Sequence, residues 1–211
     1  MMLFSLLNVG SGIFWALAYV LILRRGFLDR TYGVPLVALC GNLSWEFIFA
    51  VVYPSMGIHA VINGVWLLLD CVIVYQVLRY GPAEDHPLFG RFYLLFTVTL
   101  CTAFGLILFL IDELQDFSGI YTGLGNNLLM SVLFSEMLLR RGSARGQSLY
   151  IALSKMIGTV LASLSLLWWP HFLESALLQY LAVTVFLFDL IYLMLVYHQA
   201  RSEGIEPWKR V

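Results

Sequence analysis

The chain reads as an all-α polytopic membrane protein: one seven-transmembrane-helix bundle over residues 1–211, with its N-terminus outside and its C-terminus cytoplasmic. Three observations predict this. Hydrophobic residues make up 61% of the chain and charged residues only 12%, which is outside the range of soluble domains. The apolar residues collect in seven continuous segments, roughly 3–23, 33–53, 58–78, 92–111, 119–139, 148–169 and 174–197, each long enough at ~1.5 Å per residue to cross a ~30 Å hydrocarbon core. Of the 12 lysines and arginines, all but Lys155 fall in alternate gaps or in the tail, and short basic loops stay cytoplasmic.

The first segment has neither a basic leader nor a small-residue cleavage site, so it reads as a retained span. Arg24, Arg25 and Arg30 follow it, and the next gap holds no Lys or Arg. Arg79 and Arg91 flank the gap after the third segment, where Tyr80-Gly81-Pro82 and the stretch through His86 and Pro87 predict a polar turn. The gap after the fourth is acidic. Its Asp112, Glu113 and Asp116 have the spacing of a magnesium-diphosphate motif, but in one copy, on the outer side and at a helix end. A solvated acidic loop is the expectation, and no metal site is assigned. Arg140, Arg141 and Arg145 follow the fifth segment, and Arg201, Lys209 and Arg210 lie in the tail. Continuous rather than alternating hydrophobicity excludes a β-barrel.

Small residues at Gly10, Gly12, Gly123 and Gly125 predict close helix approach. Cys40, Cys71 and Cys101 lack metal-ligand spacing and read as packing residues. Trp168 and Trp169 fall at an outer boundary and read as interfacial anchors. His59 and His171 are boundary residues, and His198 lies near the cytoplasmic side. No histidine pair has zinc spacing on one helix face.

Five ionisable residues lie inside spans: Glu46, Asp70, Glu136, Lys155 and Asp189. Each costs at least ~2.5–3.5 kcal/mol near the bilayer centre, so each demands a reason. At ~1.5 Å per residue, Glu46 lies about 5 Å outward of the midplane, Asp70 near it, and Asp189 and Lys155 about 5 Å inward. Glu136 lies about 10 Å inward. The carboxyls of Glu46, Asp70 and Asp189 therefore converge on the middle of the bundle. Lys155 and Glu136 read as ion-pair residues: Lys155 has Asp189, Asp70 and Glu136 as candidate partners, and Glu136 can reach the Arg140/Arg141 zone.

Helical spacing supplies the neighbours of these acids. Asn42, Trp45 and Phe49 surround Glu46, Asn63 and Trp66 precede Asp70, and Phe186 and Tyr192 flank Asp189. Carboxyls among rings and amides lose hydration, which favours the un-ionised acid. Such an acid can protonate an alkene or epoxide, and the rings can hold the resulting cation. A cavity of this kind suits a lipophilic substrate entering from the bilayer.

Gly41-Asn42-Leu43-Ser44-Trp45-Glu46-Phe47 resembles a signature of the integral-membrane terpene cyclases of meroterpenoid and indole-terpenoid pathways. Trp66-Leu67-Leu68-Leu69-Asp70, Arg145-Gly146-Gln147-Ser148 continuing to Lys155-Met156-Ile157-Gly158-Thr159, and Phe188-Asp189-Leu190-Ile191-Tyr192 look like three further matches. With the seven-span layout they cover nearly the whole chain. The length is similar to that of a compact bacterial branch acting on prenylated indole alkaloids. The resemblance implies a proton-initiated cyclase of a polyprenyl chain, farnesyl here, already attached to an aromatic or alkaloid head. It implies essential acids at Glu46 and Asp189. The residues themselves favour Glu46 as proton donor, tuned by Asn42, with Asp189 and Asp70 holding the polar network or assisting donation, and Asn42, Trp45, Phe49, Asn63, Trp66, Phe186 and Tyr192 as the substrate-facing neighbours. No cofactor is implied.

The expected partners are a lipophilic prenylated small molecule, the lipid bilayer and an upstream prenyltransferase, with no nucleic acid. The expected location is a bacterial plasma membrane, or the endoplasmic reticulum of a eukaryote. Two other readings compete. A proton-coupled solute carrier would use the buried acids as a relay, but the chain lacks mid-span prolines and internal repeats. A retinal photoreceptor needs a lysine on the last span, where Asp189 stands.

Overall fold

The computed structural model describes residues 2–84 and 89–211; His86 and Pro87 of the expected turn lie outside the described residues. The described chain is helical throughout and contains no strand. Helix α1 runs Met2–Asp29 and α2 runs Leu36–Phe47, continued by a π-helical turn at Ile48–Val52. Then come α3 (Ile58–Glu84), α4 (Phe89–Leu114) and α5 (Ile120–Arg141). Helix α6 (Leu149–Ser165) ends in a 3₁₀ turn at Leu166–Trp168, the short α7 spans Pro170–Glu174, and α8 runs Ala176–Ser202. A last 3₁₀ turn at Pro207–Lys209 folds the tail back.

Among the described residues five stretches are long and apolar enough to cross a membrane: α1, α3, Arg91–Leu114, Leu149–Trp168 and α8. The other two long segments differ for physical reasons. Helix α2 with its π turn, Leu36–Val52, is a shorter apolar helix. Helix α5 has 22 residues, but Asn126, Asn127, Ser131, Ser135 and Glu136 make it polar. Its buried Ser131 and Ser135 hydroxyls turn back onto the carbonyls four residues earlier, at 2.9 and 3.2 Å.

Local chemistry sets the ends. Pro35 precedes α2, where its missing N–H costs no helical bond. The side chains of Ser148 and Ser175 accept from the Ile151 and Leu178 N–H groups and cap α6 and α8. Gly142, left-handed at φ 56°, closes α5 by donating to Leu138 O at 3.0 Å.

One expectation is corrected here. Tyr80-Gly81-Pro82 is not a turn, because α3 continues through Pro82 to Glu84. The proline removes the N–H that would serve Leu78 O, and the Tyr93 hydroxyl from α4 donates to that carbonyl at 3.4 Å instead.

The basic gaps meet at one end of the bundle. Asp29 at the end of α1 pairs with Arg25 and Arg210 and accepts from Gly146 N–H at 2.8 Å. Arg141 donates to Glu84 and to Tyr32 O, both at 2.9 Å, with its guanidinium 4.3 Å above the Tyr32 ring. Gln147 accepts from the Tyr192 hydroxyl and donates to Gly33 O. The Arg145-Gly146-Gln147-Ser148 motif is thus a latch that ties α1, α6, α8 and the tail. Its glycine is required: Gly146 has φ 72°, and a Cβ there would lie 2.9 Å from Thr31 Cγ2 and 3.0 Å from Tyr32 O.

Above the latch, α1 packs most extensively on α6, α5 on α8 and α2 on α4. A core of Tyr19, Leu39, Ile73, Phe134, Met137 and Tyr192 fills the centre. Close approach works through glycine where Trp15 lies against Gly158 and Ile62 against Gly12, whereas Gly125 faces open space. Of the three cysteines, all free, only Cys40 is buried; Cys71 and Cys101 face outward.

Lys155 of α6 and Asp189 of α8, each 1% exposed, form an ion pair that Ser131 and Asn127 of α5 complete. Glu136 is not part of it. That carboxyl is half-exposed and pairs along α5 with Arg140 at 3.1 Å. Four residues toward the basic end separate it from Arg140, so the arginine serves it at the surface.

Two stability predictions follow from these contacts. Lys155→Met strands the Asp189 charge and should destabilise the bundle by about 3–5 kcal/mol, whereas Lys155→Met with Asp189→Leu should recover most of that loss. Melting of the detergent-solubilised protein checks this, and an equally unstable double variant would contradict it. Gly146→Ala should cost at least about 1–2 kcal/mol, from the left-handed backbone alone. An unchanged melting temperature would show that the latch is not built as described.

Candidate active site

A cavity of about 650 Å³ opens at the end of the bundle opposite the latch. Its mouth is formed by the start of α1 at Phe4 and Asn8, the α2–α3 connection from Tyr53 to Met56, and the α4–α5 connection at Phe117 and Ser118. The end of α6 near Trp169 completes the rim. It narrows to a floor of Tyr19, Asn42, Glu46 and Met130, all buried. The volume is in the range of small-molecule sites.

The floor is a polar network on four helices. Tyr19 Oη of α1 donates to Glu46 Oε1 at 2.7 Å. Asn42 Nδ2, one helical turn before Glu46, lies 2.6 Å from Tyr19 Oη, 2.8 Å from Glu46 Oε1 and 2.8 Å from Asp70 Oδ2 of α3. Asn126 Nδ2 of α5 donates back to Asn42 Oδ1 at 3.1 Å. A Cβ on Gly41 would lie 2.6 Å from Asn126 Oδ1, so the glycine before Asn42 is what admits Asn126. Glu46 is 1% exposed, and its Oε2 has no protein hydrogen-bond partner.

Above the floor the wall is aromatic. Trp45 and Phe49 lie with ring centroids 4.8 Å apart, and Trp15, Trp66 and Trp169 complete the ring. Two of the indoles are fixed by hydrogen bonds. Trp45 Nε1 donates to Thr122 Oγ1 at 3.2 Å, and Trp66 Nε1 to Gly12 O at 3.4 Å. The π turn after α2 leaves Phe49 O to accept from Ser55 N and from Asn63 Nδ2, which also donates to Ser55 Oγ at 3.0 Å. A π turn beside a cavity is a common feature of functional sites.

Of the residues singled out in the sequence, Glu46, Asn42, Trp45, Phe49, Asn63 and Trp66 line this cavity. Asp70 lies against Glu46, within hydrogen-bonding reach of its carboxyl, and Asn42 bridges the two. Asp189 is elsewhere: it is held by Lys155 outside the cavity wall, so the three carboxyls do not share one pocket. Asn127 connects the two regions, since it lines the cavity while its Oδ1 accepts from Lys155 and its Nδ2 donates to Thr159.

Phe186 and Tyr192 do not face the cavity either. Three residues on either side of Asp189 place them about 120° apart on α8. Phe186 is 41% exposed on the outer surface, and Tyr192 is in the core against Phe134, bonded to Gln147.

Four features of the site depart from what the sequence predicts. Trp169 is a wall residue rather than only an anchor, because the 3₁₀ turn after α6 turns it inward. His59 also lines the cavity. Tyr19, on the first span, carried no acidic or motif signal. Asp116 is not solvated: it is 2% exposed and accepts from Ile120 N–H, Thr122 N–H and Thr122 Oγ1 at 2.7–2.8 Å. It therefore caps α5 and, through Thr122, fixes Trp45. Asp112 and Glu113 stay exposed.

Comparison with known proteins identifies the family. The family of Pyr4-like transmembrane terpene cyclases matches residues 1–202. Terpene cyclase andB of Emericella variicolor is 31% identical over 95% of this chain and 90% of its own length. Terpene cyclase olcD of Penicillium canescens is 31% identical over 94% of this chain and 86% of its own, and terpene cyclase esdpB of Penicillium shearii 32% over 92% and 84%. These relatives are fungal and lend no support to a bacterial branch, nor does anything support the solute-carrier reading. An apolar bundle around an acid-floored aromatic cavity, matched over nearly its full length, belongs to the Pyr4-like transmembrane terpene cyclases, and this chain is a membrane-bound terpene cyclase.

Proposed function

We propose that the chain cyclises the farnesyl tail of a prenylated aromatic or indole compound by protonating it with Glu46. One observation carries the reading: Glu46 Oε1 is engaged by Tyr19 and Asn42, while Oε2 of the same cavity-lining carboxyl has no protein partner. In the un-ionised acid the proton sits on the oxygen that is not already accepting hydrogen bonds. An alkene π pair, or an epoxide oxygen, takes that proton and the O–H pair stays on the carboxylate. Tyr19 and Asn42 then hold the new charge, which is stabilisation aimed at the charged state as it forms. The tertiary cation left on the chain lies within the rings of Trp15, Trp45, Phe49 and Trp66, whose π faces favour positive charge.

The amide of Asn42 has two hydrogens for three acceptors, Tyr19, Glu46 and Asp70. Two ionised carboxylates around one amide in a dry site would repel strongly, so a proton resides on the pair. Asp70, in contact with Glu46 beside Asn42, shares that proton and assists donation. Asp189 acts at a distance, by fixing Lys155 and with it Asn127 on the wall.

The substrate enters tail-first, its distal double bond at the floor and its head at the mouth, where Tyr53 and Phe117 form an edge-to-face pair. This reading has the bundle crossing the bilayer seven times, with α2 and α5 as the two inner spans. The cavity mouth and N-terminus lie outside, and the arginine-rich latch lies in the cytoplasm, as the charge rule favours. An upstream prenyltransferase supplies the linear substrate.

Glu46→Gln keeps the size and hydrogen-bonding of the side chain but has no transferable proton. It should lower turnover of 3-farnesylindole or its terminal epoxide by at least about 10²-fold, with the protein still folded. Products are isomers of the substrate, so chromatography with mass detection at constant mass reads the result; near-normal turnover would refute the acid assignment. Turnover should also survive a metal chelator, because the trigger is a carboxylic proton rather than a diphosphate leaving group. A strict magnesium requirement would contradict it.

A further inference from the structure

A cyclisation that begins with a proton must end by losing one, and the cavity separates the places where these events occur. Of the side chains on its wall, only Glu46 and His59 are of types that exchange protons near neutral pH; the rest are aromatic, aliphatic, amide, hydroxyl or phenol. They sit at opposite ends. Glu46 is on the floor beside Asp70, and His59 is at the mouth in the first turn of α3. His59, Asn63, Trp66 and Asp70 follow one another at three- or four-residue intervals and form one face of α3. From His59 to Asp70 that face spans about 16 Å. His59 is exposed, and among the described residues no side chain holds its imidazole in a hydrogen bond or ion pair. Asn63, one turn below, by contrast has its Nδ2 engaged by Ser55 Oγ and Phe49 O.

We propose that His59 is the base that terminates the cyclisation. The inference rests on the proton-initiated reading above. Protonation at the floor starts the cation at the distal end of the chain, and each ring closure moves the charge toward the head group, which lies at the mouth. There the imidazole lone pair takes a proton from the carbon next to the cationic centre. The C–H pair becomes the new C=C bond, and His59 becomes an imidazolium. It returns its proton to water at the mouth, and Glu46 is reprotonated, so the substrate is isomerised with no net change in protons. Amide and hydroxyl oxygens along the wall are far weaker bases, and the rings of Trp66 and Phe49 shield earlier cations from deprotonation.

The test is the product distribution of His59→Gln and His59→Ala on 3-farnesylindole or its terminal epoxide, analysed in residual turnover over long incubation. The expected result is a shift in both variants away from the wild-type alkene. The ratio of water-captured alcohol (18 mass units heavier) and alternative alkene isomers to that alkene should rise by about tenfold or more, as removal of a positioned base predicts. A wild-type ratio in both variants, whether or not total turnover falls, would overturn the proposal: water would then be the base, or His59 would only seat the head group. Glu46→Gln, run in parallel, separates the two ideas. If it is inactive while the His59 variants keep the wild-type ratio, only the terminating base is wrong. If it stays active, the proton-initiated reading itself fails.

Discussion

The side-chain amide of Asn42 binds together more of this protein than any apolar contact does. Its two ends touch Tyr19 of α1, Glu46 of α2, Asp70 of α3 and Asn126 of α5. In an apolar bundle a polar atom left without a partner costs several kcal/mol, so a network of this kind admits few alternative arrangements. A shift of any one of the four helices breaks a bond of this network. The same bonds that hold the helices also hold Glu46, engaging its Oε1 and leaving Oε2 without a hydrogen-bond donor. Structure and chemistry share one set of contacts, which is why the motif around Asn42 extends from Gly41, which admits Asn126, to Trp45 and Glu46 on the wall.

Much of this was legible in advance, and the parts that were not have physical causes. Alternation of basic gaps foretold which connections meet at one end, and the Arg25–Asp29–Arg210 and Arg141–Glu84 contacts lie where that pattern puts them. Helical spacing around Glu46 found Asn42, Trp45 and Phe49, because all four face inward on a helix surrounded by others. The same rule misplaced Phe186 and Tyr192. Around Asp189 it selects a 120° arc, and α8 has the bundle core on one side of that arc and the outer surface on the other. Spacing tells which residues are neighbours on a helix and not which of them meets a void. Asp116 was misread for a related reason: an acidic cluster at a helix boundary is usually solvated, and only the chain path after it shows a carboxylate turning to cap α5. Trp169 and His59 depended on a 3₁₀ turn and on where the cavity opens, neither of which leaves a periodic trace. Tyr19 is an ordinary aromatic in an apolar segment until its partner Glu46 is placed beside it.

The buried acids with a lysine or an amide for company illustrate different solutions to one constraint. Asp189 is compensated by a full opposite charge, which suits a joint between α6 and α8 and leaves its carboxyl committed. Glu46 and Asp70 are compensated only by dipoles, the Asn42 amide and the Tyr19 hydroxyl. Dipoles can stabilise a carboxylate after it has given up its proton without permanently ionising it, whereas a lysine at contact distance would keep it ionised before the reaction began. If Glu46 releases its proton to an alkene as proposed, it cannot sit beside Lys155. The Asn126–Asn127 step of α5 separates the two clusters accordingly: Asn126 bonds Asn42 on one side and Asn127 bonds Lys155 on the other, and both side chains are uncharged.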